Sequence, residues 1–254
     1  MRRAVILAAG LGERLRPLTL KIPKCLLPIN GRPILDIWLE VCRRASIERV
    51  LVNTHHLAVQ VESFVRARRG KPEVKTVHEE TLLGSAGTLA LNRWFLETER
   101  PFAVIYADTL IPRIDLDAMF RFHEQHGELV TLGLFHSTTP RECGIVEMSV
   151  DGRILAFEEK PLHPLSDLAS AGVMIADPAI LDLLPHRLPA DLGRDLMPDL
   201  AGRMKGFLLE GPVLDVGTPG RYREAQEIVR VTAAGGRAGR DVAFRPHADR
   251  IVIG

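Results

Sequence analysis

Cysteine is scarce in this chain, and the three that occur form no recognisable pair. Cys25, Cys42 and Cys143 are odd in number, and none of them stands in a CxxC arrangement. A disulfide framework needs paired cysteines, and a structural zinc site needs closely spaced ligands. The sequence therefore argues against both, and we expect a reducing, cytoplasmic setting.

Long apolar runs and an excess of either charge are also missing. No stretch approaches the roughly 20 apolar residues of a membrane-spanning helix. Residues 1–10 begin basic and turn apolar, as in a signal peptide, but the run is short and continues into charged residues, so we reject that interpretation. The chain has 33 Lys and Arg against 32 Asp and Glu, a formal net charge of +1. We therefore expect neither a nucleic acid nor a membrane as partner.

Apolar segments of strand length alternate with segments of helical period through the first 139 residues. The predicted strands are 4–8, 49–53, 73–78, 102–108 and 129–135, and the predicted helices are 34–45, 59–69, 86–95 and 115–127. This alternation predicts a Rossmann-like α/β fold with a mostly parallel sheet flanked by helices on both faces. His123 and His126 stand near the end of the last of these helices without a cluster of other metal ligands, so we expect a solvated helix face there.

The pattern changes after Pro140. Residues 144–161 read as two strands joined by a turn at Asp151 and Gly152, followed by a strand at 170–176 and a short helix at 194–201. Two more strands and a closing helix are expected within 204–231. We predict a smaller mixed or antiparallel portion that lies against the first sheet.

The loop that follows the first strand, residues 7–28, combines flexibility with positive charge. Gly10 and Gly12 allow backbone N–H groups to approach an anion closely. The loop also carries four basic residues and three prolines: Arg14, Arg16, Lys21, Lys24, Pro17, Pro23 and Pro28. The pattern is neither a Walker A loop nor a dinucleotide fingerprint, and it fits a polyphosphate ligand better than an ordinary surface loop.

This loop resembles the signature of sugar-1-phosphate nucleotidyltransferases, the nucleotide-sugar pyrophosphorylases with a GT-A-like fold. The resemblance rests on LAAGLGER at 7–14, PLT at 17–19 and PKCLLP at 23–28. It continues in LLGSAG at 82–87, YAD at 106–108, EEKP at 158–161, SAGVM at 170–174 and LDVGTP at 214–219, and it fades after about residue 230.

The resemblance implies one nucleotidyltransferase domain over 1–232, with a nucleotide-binding half at 1–139 and a sugar-binding half at 140–232. Residues 233–254 would be a linker and a short tail. The implied reaction joins a nucleoside triphosphate (NTP) to a sugar 1-phosphate and releases pyrophosphate, as in nucleotide-sugar biosynthesis. Such chemistry depends on positioning and charge neutralisation.

The resemblance also implies site residues. The implied catalytic residues are Arg14, Lys24 and Asp108, and the implied Mg²⁺ ligands are Asp108 and Asp215. The implied nucleotide contacts are Leu7, Ala8, Ala9, Gly10, Gly12, Glu13, Arg14, Glu79, Gly84 and Ser85. The implied sugar-phosphate contacts are Gly144, Glu159, Lys160, Ser170, Ala171 and Gly172. Alternatively, the two aspartates are only turn residues at strand ends.

The base preference rests on Glu79. Guanine presents two adjacent donors, which a carboxylate accepts together, whereas uracil and thymine present one donor between two carbonyls. With the resemblance of residues 78–87 to mannose- and heptose-1-phosphate guanylyltransferases, this predicts GTP and a mannose or manno-heptose 1-phosphate. A solvated strand end is the alternative for Glu79.

Three alternative functions stay open: a uridylyl- or thymidylyltransferase, a glycosyltransferase, and a nucleotide-sensing regulatory homologue. For the oligomeric state, a homodimer is possible.

Overall fold

The computed structural model describes residues 1–234 as thirteen strands and seven helices. The strands are β1 (Arg2–Leu7), β2 (Pro28–Ile29), β3 (Arg32–Pro33), β4 (Ile47–Thr54), β5 (Glu73–His78), β6 (Phe102–Tyr106), β7 (Thr109–Leu110), β8 (Val130–His136), β9 (Gly144–Met148), β10 (Ile154–Glu159), β11 (Leu168–Ala176), β12 (Met204–Leu208) and β13 (Leu214–Asp215). The helices are α1 (Ile34–Arg44), α2 (Ala58–Ala67), α3 (Gly84–Leu91), α4 (Arg93–Leu96), α5 (Leu116–Glu124), α6 (Leu192–Asp195) and α7 (Pro219–Ala234). The rest of the expected linker and tail, 235–254, lies outside the described residues.

Nine of these strands form one sheet. Its order is β10-β9-β11-β6-β1-β4-β5, and β8 pairs with both β11 and β12. Strand β1 is parallel to both β4 and β6, and β4 is parallel to β5. Parallel neighbours need crossover connections, which the helices between these strands supply. The predicted Rossmann-like α/β fold is confirmed.

The second half of the chain does not lie against this sheet, as the sequence led us to expect, but extends it. Strand β11 pairs antiparallel with β6 from Val173 opposite Ile105 to Ala176 opposite Phe102. On its other side β11 pairs with β8, and beyond the β6 pairing Ala169 of β11 also pairs with β9. An uncovered β6 would expose a row of unpaired backbone groups, and β11 satisfies them. Both predicted halves therefore share one continuous sheet.

The apolar core lies on both faces of the sheet. One cluster packs helices α1, α2, α5 and α7 against one face, and the other packs α3, α4 and α6 against the opposite face. Successive side chains of a strand point to opposite faces of the sheet. In the central strand β1, Ala4 and Ile6 therefore belong to the first cluster and Val5 belongs to the second. Helix α5 begins at its expected acidic cap, where the Asp115 carboxylate accepts the Ala118 N–H at 2.9 Å.

The expectation of a solvated helix face at His123 and His126 is wrong for His123. Its side chain is buried, and its Nδ1 lies 2.9 Å from Thr131 Oγ1, which His126 Nε2 also contacts at 2.8 Å. Burial, together with the neighbouring His126, lowers the pKa of His123 to about 4. Within residues 1–234, no helix is long and apolar enough to cross a membrane.

Candidate active site

The loop between β1 and β2 folds back on itself at the carboxyl end of β1. It makes three short 3-10 turns, Glu13–Leu15, Leu18–Leu20 and Lys24–Leu26. Gly12 has a φ of +65°, and a Cβ there would lie 2.8 Å from Cγ2 of Thr19, whose hydroxyl donates to the Gly12 carbonyl. Glycine is therefore required at this position by backbone conformation and by space.

Two cavities open at this edge of the sheet and share a wall. The smaller, of about 250 Å³, is lined by most of the predicted nucleotide contacts: Leu7, Ala8, Ala9, Gly10, Glu79, Gly84 and Ser85. The larger, of about 1200 Å³, is lined by all six predicted sugar-phosphate contacts: Gly144, Glu159, Lys160, Ser170, Ala171 and Gly172. Asp108 lines both cavities, Lys24 lines the smaller, and Arg14 and Asp215 line the larger. Gly12 and Glu13 lie outside both linings.

Asp108 and Asp215 come together through strand pairing. Strand β13 runs antiparallel to β7 with Asp215 opposite Thr109, and the Val216 N–H donates to the Asp108 carbonyl at 2.8 Å. Each carboxylate has a cation beside it. Lys24 Nζ lies 2.7 Å from Asp108 Oδ2, and Arg221 Nη1 donates to Asp215 Oδ2 at 2.6 Å.

Arg14 reaches the same point from the first loop. A Cβ built on Gly217 would lie 2.9 Å from Arg14 Nη2 and 2.7 Å from Asp215 Oδ2, so both side chains border this glycine. A larger residue at 217 would separate them. The predicted catalytic and metal residues thus converge where the two cavities meet.

The donor set suits a hard cation that shares its coordination with a ligand. The described residues contain no group of three or more His, Cys, Asp or Glu side chains that could hold a metal ion. Mg²⁺ is usually bound by one or two carboxylates together with phosphates and water. Asp108 and Asp215 fit that arrangement and do not form a cage made by the protein alone.

Glu79 is buried, which contradicts the alternative of a solvated strand end. Its Oε1 accepts from Asn53 Nδ2 at 2.8 Å and from Thr88 Oγ1 at 2.6 Å, and its Oε2 accepts from the Leu83 N–H at 3.2 Å. A carboxylate has about four acceptor sites. Three are filled from within the protein, and the remaining one is on Oε2.

Asn53 links this carboxylate to the loop that follows β1. Its Oδ1 accepts the Ala8 N–H at 2.6 Å while its Nδ2 donates to Glu79. The side chain is buried and therefore held in one orientation by these bonds. Asn53 is the polar residue that ends the predicted strand 49–53, but no sequence motif marked it as a site residue.

Glu159 faces the larger cavity, as predicted, while the neighbouring Glu158 is exposed. A Cβ on either Gly144 or Gly193 would lie 2.8 Å from Glu159 Oε2, so two glycines leave room for this carboxylate. Burial raises the pKa of Glu159, although the nearby Lys160 opposes the shift. Lys160 Nζ lies 3.5 Å from Glu159 Oε1.

Ser85, a predicted nucleotide contact, forms hydrogen bonds with other residues of the protein. Its hydroxyl lies 2.9 Å from Asp191 Oδ2 and accepts the Leu192 N–H at 2.7 Å. Asp191 and Tyr106 line both cavities, so they form part of the shared wall. Asp191 is also the N-cap of α6, a position that its acidic side chain before a short helix could have indicated.

This chain is similar to a described protein family and to several known proteins. A family model described as nucleotidyl transferase matches residues 3–231. Mannose-1-phosphate guanylyltransferase catalytic subunit beta of Danio rerio is 34% identical over 223 residues, which are 85% of this chain and 61% of that protein. UTP–glucose-1-phosphate uridylyltransferase of Synechocystis sp. is 34% identical over 218 residues, which are 78% of this chain and 55% of that protein. The chain thus spans less than two thirds of these relatives.

A solved structure supports the fold independently. It is a putative glucose-1-phosphate thymidylyltransferase from Bacillus anthracis in complex with a sucrose. It superposes with a TM-score of 0.82 at 21% identity and covers 94% of this chain and 98% of that chain. At this identity the likeness shows the fold alone.

Proposed function

The chain belongs to the nucleotidyl transferase family, and from that premise we propose that it is an enzyme that joins an NTP to a sugar 1-phosphate. The products are a nucleotide-sugar and pyrophosphate. The observation that carries the proposal is the meeting of Asp108 and Asp215 at the junction of two cavities. One cavity is bordered by a phosphate-type loop, and the other by a carboxylate able to bind sugar hydroxyls.

The proposed reaction asks the protein for alignment and charge. A phosphate oxygen of the sugar 1-phosphate attacks the α-phosphorus, a P–O bond forms, and the bond to the leaving pyrophosphate breaks. Arg14 would hold the triphosphate with its planar fork, and Lys24 would place a point charge beside the α-phosphate. Members of the family generally use a divalent metal. We assign Mg²⁺ to Asp108 and Asp215, where it would neutralise charge on the phosphates.

The smaller cavity would take the nucleotide. It is lined by the start of the loop after β1. A hydrogen bond from the Ala8 N–H to Asn53 Oδ1 holds this part of the loop in place. A Cβ on Gly10 would meet no atom within 4 Å, so the backbone there is open to a ligand. These features support the nucleotide assignment of residues 7–10.

We propose GTP as the preferred nucleotide, with mannose or a manno-configured heptose 1-phosphate as acceptor. Glu79 offers only acceptors, which suits the two donors of guanine and opposes the two carbonyls that flank the single donor of uracil. Because Oε1 already serves Asn53 and Thr88 and Oε2 keeps one acceptor site, we assign one guanine donor to Oε2. This revises the two-oxygen contact expected from the sequence. UTP is the second candidate, because the guanylyl- and uridylyltransferase relatives are equally identical to this chain.

The test is a panel of GTP, UTP, dTTP and ATP against several sugar 1-phosphates, with pyrophosphate release as the readout. We expect turnover with at least one pair and the highest kcat/KM with GTP. Binding without turnover for every pair would favour the nucleotide-sensing alternative. A cytoplasmic location and a homodimer remain predictions from the sequence.

A further inference from the structure

Arg221 lines the larger cavity, is held there by ion pairs, and has no part in the proposed reaction. It lies in the first turn of α7, where its backbone N–H is 3.3 Å from Thr218 Oγ1. Its Nη1 donates to Asp215 Oδ2 at 2.6 Å, and its Nη2 forms an ion pair with Glu142. The guanidinium therefore connects β13 with the loop that follows β8.

The two proposed metal ligands are neutralised in the same way, but from opposite sides. Lys24 holds Asp108 and lines the smaller cavity, whereas Arg221 holds Asp215 and lines the larger. A divalent cation on the two aspartates would compete with both side chains. Each cation would then be released within reach of the phosphates that arrive with the substrates.

Arg221 suits a phosphate better than its neighbour Lys160 does. The Lys160 side chain is 64% exposed and lies 3.5 Å from Glu159, so it is strongly hydrated and only loosely placed. Arg221 is 30% exposed and is anchored by Glu142 through Nη2. That anchor leaves Nη1 and the edge of the planar group free to change partner without moving the whole side chain. Guanidinium groups bind phosphates through such paired N–H donors.

From this geometry we infer that Arg221 binds the phosphate of the sugar 1-phosphate, exchanging Asp215 for that phosphate when the aspartate takes up the metal. The inference rests on the proposed nucleotidyltransferase function and deepens it. It adds a substrate-binding residue on α7, outside the motifs that the sequence analysis singled out. Glu142 then acts as the positioning residue that keeps Arg221 at the cavity.

The experiment compares Arg221→Gln and Arg221→Lys with Arg223→Gln, which removes the same charge from an exposed position on the same helix. Steady-state kinetics use the NTP and sugar 1-phosphate pair that the wild type turns over fastest. For Arg221→Gln we expect the KM of the sugar 1-phosphate to rise at least about tenfold, the loss implied by a hydrogen bond to a charged group. The KM of the NTP should stay within about threefold, and Arg221→Lys should fall between the two.

Calorimetric titration of Mg²⁺ gives a readout that does not depend on turnover. Because Arg221→Gln removes the competitor for Asp215, we expect this variant to bind Mg²⁺ at least as tightly as the wild type. Weaker Mg²⁺ binding would mean that Arg221 helps Asp215 to bind the metal and does not compete with the metal for this carboxylate. That result would overturn the inference. Thermal unfolding checks that each variant is folded, and if Arg221→Gln is not, Arg221→Lys decides by the same KM criterion.

The outcomes separate the inference from the function on which it rests. If the wild type turns over and the Arg221 variants keep its KM for the sugar 1-phosphate, the role of Arg221 is overturned while the proposed function stands. An equal rise of KM in Arg223→Gln would also overturn it, because the effect would then be general electrostatics. If the wild type turns over no pair, the proposed function falls, and this inference falls with it.

Discussion

Replacing Glu79 by glutamine tests the base assignment, because the structure dictates how the new amide must sit. The amide oxygen must take the place of Oε1, which accepts from both Asn53 and Thr88. The NH₂ group is then left at the place of Oε2, where it faces the Leu83 N–H and the proposed donor of guanine. Donors would oppose donors at both contacts.

The expected loss of guanine preference is large enough to measure. Leaving a buried donor without its acceptor costs about 2 kcal/mol, which is roughly a thirtyfold change in relative kcat/KM. The same amide can donate to a carbonyl of uracil, so use of UTP should rise as use of GTP falls. The lost bond to Leu83 should also lower the free energy of unfolding by about 1 kcal/mol.

The assay is a competition between GTP and UTP with one sugar 1-phosphate, measured for the wild type, Glu79→Gln and Glu80→Gln. Glu80 is the exposed neighbour, so Glu80→Gln makes the same chemical change outside the cavity. Equal use of both nucleotides by the wild type would refute the assignment of Glu79 to guanine. The same conclusion would follow if Glu79→Gln left the preference unchanged, or if Glu80→Gln shifted it as much.

Three further predictions concern charge and pH. Asp108→Asn or Asp215→Asn should lower kcat by about a hundredfold or more at saturating Mg²⁺, and near-wild-type rates for both would remove the metal assignment. Arg14→Lys keeps the charge but loses the planar fork, so single-turnover measurements should show a slower chemical step; an unchanged rate would contradict the bidentate role. The fold keeps His123 neutral, with its pKa at about 4, while the unfolded chain takes up a proton near pH 6.5. The contribution of neutral His123 to the free energy of unfolding should therefore be fully present above pH 6.5. The free energy of unfolding should fall by up to about 3 kcal/mol towards pH 4. Urea unfolding across this pH range should show that the free energy of unfolding decreases less with falling pH for His123→Gln than for the wild type. An equal pH dependence of the two proteins would exclude His123 as the cause.

Local sequence patterns determined the helices and strands of this protein and the character of the loop that follows β1. The strands expected before residue 139, and the helices apart from 86–95, occur within a few residues of their predicted positions, because side-chain periodicity and caps such as Asp115 act over one or two turns. The helix expected at 86–95 forms two shorter helices, α3 and α4, with Asn92 between them. The Gly, Arg and Pro pattern of 7–28 likewise indicated an anion loop, since backbone freedom and charge are properties of the residues themselves.

Tertiary structure decided which of these residues meet. The pairing of β13 with β7, which joins Asp215 to Asp108, depends on backbone hydrogen bonds between distant segments that leave no periodic trace in the sequence. The burial of Glu79 and His123 depends on what packs over them, which period alone does not tell. The same holds for β11, which adds the second half of the chain to the first sheet, and for Arg221, which helix α7 directs to Asp215. Each of these contacts joins segments that are far apart in the sequence. It forms because folding brings the partner segment against the residue, and local patterns carry no information about that partner.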